Sequence, residues 1–127
     1  MKDTQTTEPE LSFADLLEGF IEETQDIVDE ILEDGASPDA VYMIEHHLSC
    51  MDADILKKAA VACFKKGYEV TDHDQLESED GAMIFNFDVI VEMNLDETAI
   101  IEDVEKLLKI AQSFNVNYDG WGTYPEK

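Results

Sequence analysis

The chain has 127 residues, the size of one domain with one core. Hydrophobic residues make up 44%, which is a folding composition, yet 31 Asp and Glu stand against 8 basic residues, all of them Lys, for a formal net charge of -23. That balance argues against nucleic acid and anionic membrane surfaces, since phosphate binding rests on Lys and Arg, and without Arg there is no bidentate clamp for phosphate or carboxylate substrates; the charge favours a basic protein partner, or serves solubility alone.

Residues 1–11 are polar, carry Pro9 and show no periodicity, so they read as a flexible tail. They contain no apolar signal core, and no apolar run approaches the roughly 18 residues that a membrane span needs. Cys50 and Cys63 make no disulfide framework and have no metal spacing. Free thiols suit a reducing compartment, and the expectation is a cytoplasmic protein.

Residues 12–127 read as a single domain. Ser12 can cap a helix in which Phe13, Leu16, Leu17, Phe20, Thr24, Ile27, Val28, Ile31 and Leu32 recur at helical spacing. It runs to Asp34, where Gly35 ends it. Ser37-Pro38 signals a turn, and 40–49 reads as a strand with Tyr42, Ile44, His46 and Leu48 on one face. Asp52 can cap a helix over 53–66, with Ile55, Leu56, Ala59, Val61, Ala62 and Cys63 as its buried candidates and Gly67 as its end. A short strand at 68–72, a polar stretch at 74–80 and a turn at Glu79-Asp80-Gly81 follow.

The stretch 82–93 is the strongest strand, with Met83, Phe85, Phe87, Val89, Val91 and Met93 on one face. Asp96 can cap a third helix reaching about Phe114, and 116–119 is a last strand before Gly120-Trp121-Gly122-Thr123-Tyr124. After the first helix the order is β-α-β-β-α-β, the split βαβ pattern of a ferredoxin-like α+β fold. It implies a four-stranded antiparallel sheet with two helices on one face. The second face stays open unless the N-terminal helix covers it.

Candidate sites come from charge and from that second face. Residues 1–39 hold 13 acids and one Lys, about half the net charge. Glu18, Glu22, Asp26, Asp29, Glu30 and Glu33 form a ridge along the first helix that no Lys relieves, at a cost of roughly 0.2–0.5 kcal/mol for each i,i+4 pair. It reads either as a solvated face or as a docking ridge for a basic segment. Glu45, His47 and Asp88 are assigned to the open sheet face. His46 and His47 point to opposite faces and cannot chelate one metal from a regular strand. Carboxylates where RNA-binding sheets place aromatics argue against RNA. Trp121, between two glycines, reads either as an exposed anchor or as a lid on the core. No phosphate loop, activated nucleophile or cofactor motif is present, so neither catalysis nor a cofactor is expected.

Several separated motifs together resemble one family. Leu32-Glu33-Asp34-Gly35, Ser37-Pro38-Asp39-Ala40, Ile44-Glu45-His46-His47-Leu48, Lys58-Ala59-Ala60-Val61, Gly67-Tyr68-Glu69-Val70 and Tyr118-Asp119-Gly120-Trp121-Gly122-Thr123-Tyr124 resemble the regulator of ribonuclease E activity B family in the same order. The resemblance spans about 22–124 and is loose before that. It implies a ferredoxin-like fold with an added N-terminal helix, and a bacterial cytoplasmic protein that binds the C-terminal scaffold half of ribonuclease E and inhibits RNA processing. Family members commonly end in a long acidic tail, which the sequence up to Lys127 does not show. The expectation is a monomeric, non-enzymatic inhibitor acting through its acidic surface. The alternative is a small-ligand or metal-binding domain using the open face.

Overall fold

The computed structural model describes residues 12–37 and 39–125. The predicted tail at 1–11, Pro38 of the predicted turn and the side chain of Tyr124 lie outside the described residues. Three helices begin where an oxygen-bearing side chain can accept from the first free N–H groups. Ser12 accepts from Asp15 at 3.1 Å and starts α1, Phe13–Glu33. Asp52 accepts from Asp54 and Ile55 and starts α2, Ala53–Lys65. Asp96 accepts from Ala99 and starts α3, Glu97–Phe114. Gly35 and Gly67 follow α1 and α2 in the left-handed region. Asn115, at φ 61°, plays that part after α3, which ends at Phe114 as expected.

The strands are β1 (Val41–Cys50), β2 (Glu69–Val70), β3 (Asp74–Glu77), β4 (Met83–Asn94) and β5 (Asn117–Pro125). The central pair β1 and β4 is antiparallel, with Glu45 opposite Ile90 and His47 opposite Asp88. β5 flanks β1, and β2 flanks β4, all antiparallel. This is the ferredoxin-like strand order.

Two details go beyond the expected four strands. The polar stretch after β2 contributes β3, which pairs with β4 along the same edge as β2. The pairing slips by one residue between Val70–Val89 and Asp74–Asn86. Thr71 holds that gap closed: its N–H donates to the Asp88 carbonyl at 2.9 Å, and its hydroxyl accepts from the Asp88 N–H at 2.8 Å. The edge is thus one broken strand, and its exposed, alternation-poor sequence conceals it. The last strand also runs to Pro125, past the expected end at Asp119. A bulge sits between Tyr118 and Gly120, and it lets the chain continue pairing with β1.

Tyr42, Ile44, His46 and Leu48 of β1, together with Phe87 and Val89 of β4, form the buried face under the helices. Leu56, Ala59 and Cys63 of α2 and Ile100, Val104, Leu107, Leu108 and Ala111 of α3 cover it. Val61, expected to be buried, is 50% exposed. At 100° per residue it lies about half a turn from the Ala59–Cys63 line. Both cysteines are buried and free, and burial pushes the Cys63 thiol up to about 11.

α1 joins the helical layer. It lies beside α3 and over the β5 edge, leaving the second sheet face open. Phe20 meets Tyr118 edge-on at 4.9 Å, and the indole N–H of Trp121 donates to the Thr24 hydroxyl at 2.9 Å. Gly120 lies beneath this contact at φ 107°, and a Cβ there would stand 3.3 Å from a Glu23 carboxylate oxygen. Thr24→Val should leave a buried indole N–H unpaired and cost about 1–3 kcal/mol. Gly120→Ala should cost a similar amount, about 1–3 kcal/mol, through its backbone conformation. Urea melts followed by the fluorescence of the single Trp measure both.

Candidate functional site

The open sheet face is built by the alternation of two long strands. β1 contributes Met43, Glu45, His47 and Ser49, and β4 contributes Ile84, Asn86, Asp88, Ile90 and Glu92. By register, Glu69 stands beside Ile90 and Asp74 beside Asn86. The result is a diagonal apolar pair, Met43 and Ile90, among Glu45, Glu69, Asp88 and Glu92, with Ile84 further along β4 beyond Asp88 and Asn86. No Lys occurs on any of these strands.

At its centre, His47 Nδ1 lies 2.8 Å from Asp88 Oδ1, with the two side chains 42% and 34% exposed. The contact follows from their direct cross-strand pairing. Glu45, two residues along the same strand, completes a group whose ligand atoms lie within 4.8 Å of one another. These three are of a type that can bind a hard or borderline divalent cation, or a guanidinium or ammonium group. Thr71 fixes the Asp88 backbone on both sides, so the carboxylate is presented from a rigid position.

The neighbouring His46 has a different fate. It is fully buried on the core face, as the alternation predicts, and its Nδ1 shares a 2.8 Å hydrogen bond with the Tyr118 hydroxyl. Its Nε2 has no hydrogen-bond partner among the described residues. Burial, assisted by the nearby His47, lowers its pKa from 6.5 to about 3. The two adjacent histidines therefore serve opposite layers, one structural and one facing the surface.

The sequence-derived candidates fall in three places. Glu18, Glu22, Asp26, Asp29, Glu30 and Glu33 are all exposed on α1, on the helical side of the sheet. Glu45, His47 and Asp88 cluster on the opposite side. Trp121 is 6% exposed and is held by Thr24 under α1, away from both groups. Residues that the sequence did not single out are Thr71, Glu69 and Asp74. Only strand register brings these to the site, and no local pattern announces it.

Among the described residues no helix is long and apolar enough to cross a membrane. The family model for regulator of ribonuclease activity B matches residues 21–123. A relative of that description from Psychromonas ingrahamii is 67% identical over 120 residues, covering 94% of this chain and 99% of its own. Similar proteins of the same description occur in Aeromonas hydrophila, 53% identical over 103 residues with 81% and 90% covered, and in Escherichia coli K12, 53% identical over 110 residues with 87% and 80% covered.

The His46 pKa carries a pH dependence. The unfolded ring takes up a proton near pH 6.5 and the buried one only near 3. Unfolding therefore binds a proton throughout that window, and stability falls as pH falls below 6.5. Relative to pH 8, wild type should lose about 2 kcal/mol by pH 5 that a His46→Gln variant does not lose. Urea melts of both proteins across this range measure the difference.

Proposed function

Because the chain belongs to the regulator of ribonuclease activity B family, we propose that it regulates a ribonuclease by binding it and performs no chemistry of its own. The ribonuclease is ribonuclease E, and the segment bound is a basic, partly disordered part of its C-terminal scaffold. The protein acts in the cytoplasm as a monomer. The observation that carries this reading is the separation of charge. The α1 ridge and the open sheet face carry acids without a single Lys, and every described Lys lies on α2, its cap or α3.

The two acidic surfaces take different tasks. The sheet face sets the apolar pair Met43 and Ile90 among carboxylates, the arrangement of a specific interface. A basic segment ordering across it would place apolar side chains on Met43 and Ile90 and cations on Glu45, Asp88 and Glu92. The α1 ridge contributes a long-range field that speeds encounter. Scaffold residues that pair with carboxylates here are withdrawn from RNA phosphates and from other bound proteins. That competition accounts for inhibition.

Pull-down and titration with fragments of ribonuclease E test the reading. A scaffold fragment should bind and a catalytic fragment should not. Glu45→Gln, Asp88→Asn and Glu92→Gln together should weaken binding mainly through faster dissociation. Glu22, Asp26, Asp29 and Glu33 changed together to Gln should slow association and flatten its salt dependence. At about 0.5 kcal/mol for each exposed pair, four pairs amount to about 2 kcal/mol, or roughly 30-fold in affinity. Full affinity and unchanged salt dependence in both variants would sink the proposal.

A second reading rests on the Glu45–His47–Asp88 group, which could hold a divalent cation. Calorimetric titration with zinc decides it: tight binding that disappears in His47→Ala supports it, and no heat removes it.

A further inference from the structure

A second surface, opposite in sign, lies on the other side of the molecule. Lys57, Val61, Phe64 and Lys65 fall at i, i+4, i+7 and i+8 of α2, along one outward face, with Lys58 beside them. Phe64 is 70% exposed and Val61 50%. The other five Phe are buried or half-buried, so Phe64 is the one that folding does not use. From Asp52 through Lys66 the chain has four Lys against two Asp, a local excess of positive charge on a chain at -23. Among the described residues none of these four Lys forms an ion pair; Lys109 alone has one, with Glu105 at 3.5 Å.

A cleft of about 710 Å³ lies on the other flank of α2, between it and α3, about half a turn from Phe64. Lys66, Lys106 and Lys109 line it together with Asp103, around an apolar floor of Ala62, Ile110 and Phe114, so its charge is mixed. Lys57, Lys58 and Lys65 thus border the outward face of α2, and the exposed Val61 and Phe64 stand within it. An apolar centre rimmed by charges of one sign fits a peptide of the other sign with apolar side chains of its own. A nucleic-acid strand fits less well, because its charge would run beyond the patch onto Glu102, Asp103 and Glu105 of α3, and no Arg is present to grip it.

We propose that the outward face of α2 docks an acidic segment of a partner protein, which places an aliphatic or aromatic side chain on Phe64 and Val61. This surface is separate from the acidic sheet face, so the protein would bridge a basic segment and an acidic one.

Fluorescence anisotropy with the full chain tests this. The probe is a labelled helical peptide with Glu along one side and Leu at every third or fourth position. Controls are the same peptide with Gln for Glu, and a short labelled oligouridine. The acidic peptide should bind more tightly than its Gln form, and added salt should weaken it. Phe64→Ser, and separately Lys57→Gln with Lys65→Gln, should each reduce affinity by about tenfold. Because these side chains are exposed, thermal melts of the variants should match wild type. Binding of ribonuclease E fragments should also persist in Phe64→Ser, which separates this proposal from the function proposed above. Equal binding of the two peptides would overturn it. So would oligouridine binding that Lys57→Gln and Lys65→Gln abolish, or self-association of the chain that Phe64→Ser removes.

Discussion

The contact on which the other features depend is that of α1 with the β5 edge. Trp121 reaches Thr24, Tyr118 meets Phe20, and Gly120 leaves the space between them. An indole of this size buries a large apolar area, and its N–H needs an acceptor once out of water. Thr24, fully buried on α1, supplies it. This draws the N-terminal helix into the layer of α2 and α3. The same apolar stripe could have covered the other sheet face, and the protein would then have had no open surface there.

The surface chemistry follows from that choice. With three helices on one side, the strands present Glu45, His47, Asp88 and Glu92 to solvent on the other. α1 adds its own acids at one end of the helical layer, and α2 carries lysines at the other. A chain with a large excess of acid thus folds into a body with distinct acidic and basic regions. Net charge sets the sign of its long-range field, whereas local segregation decides what each surface can bind.

Adjacent residues divide the same way. His46 and His47 differ by one position and by one face. The first enters the core against Tyr118 and stays neutral there; the second pairs with Asp88 in partial contact with water. A slip of one residue in the pairing of β1 would exchange them, burying the Asp88 partner and exposing the core ring. The bulge at Asp119 and the Thr71 clamp keep that register on the two flanks of the central pair.

Several features were determined by the sequence itself, because they are local. Ser12, Asp52 and Asp96 mark the helix starts through hydrogen bonds spanning three residues. Gly35 and Gly67 mark two ends by backbone freedom. The alternation of 83–93 fixes which side chains face the core, and the β-α-β-β-α-β order leaves few ways to connect them. The acidic ridge was equally plain, since it needs only helical spacing. The tertiary structure decided what depends on partners distant in sequence. It placed α1 beside α3, took Trp121 into the core, joined β2 and β3 into one edge and left Phe64 exposed. The Glu45–His47–Asp88 group belongs to the same class: its members come from two strands about 40 residues apart, and hydrogen-bond register alone brings them within reach of one another.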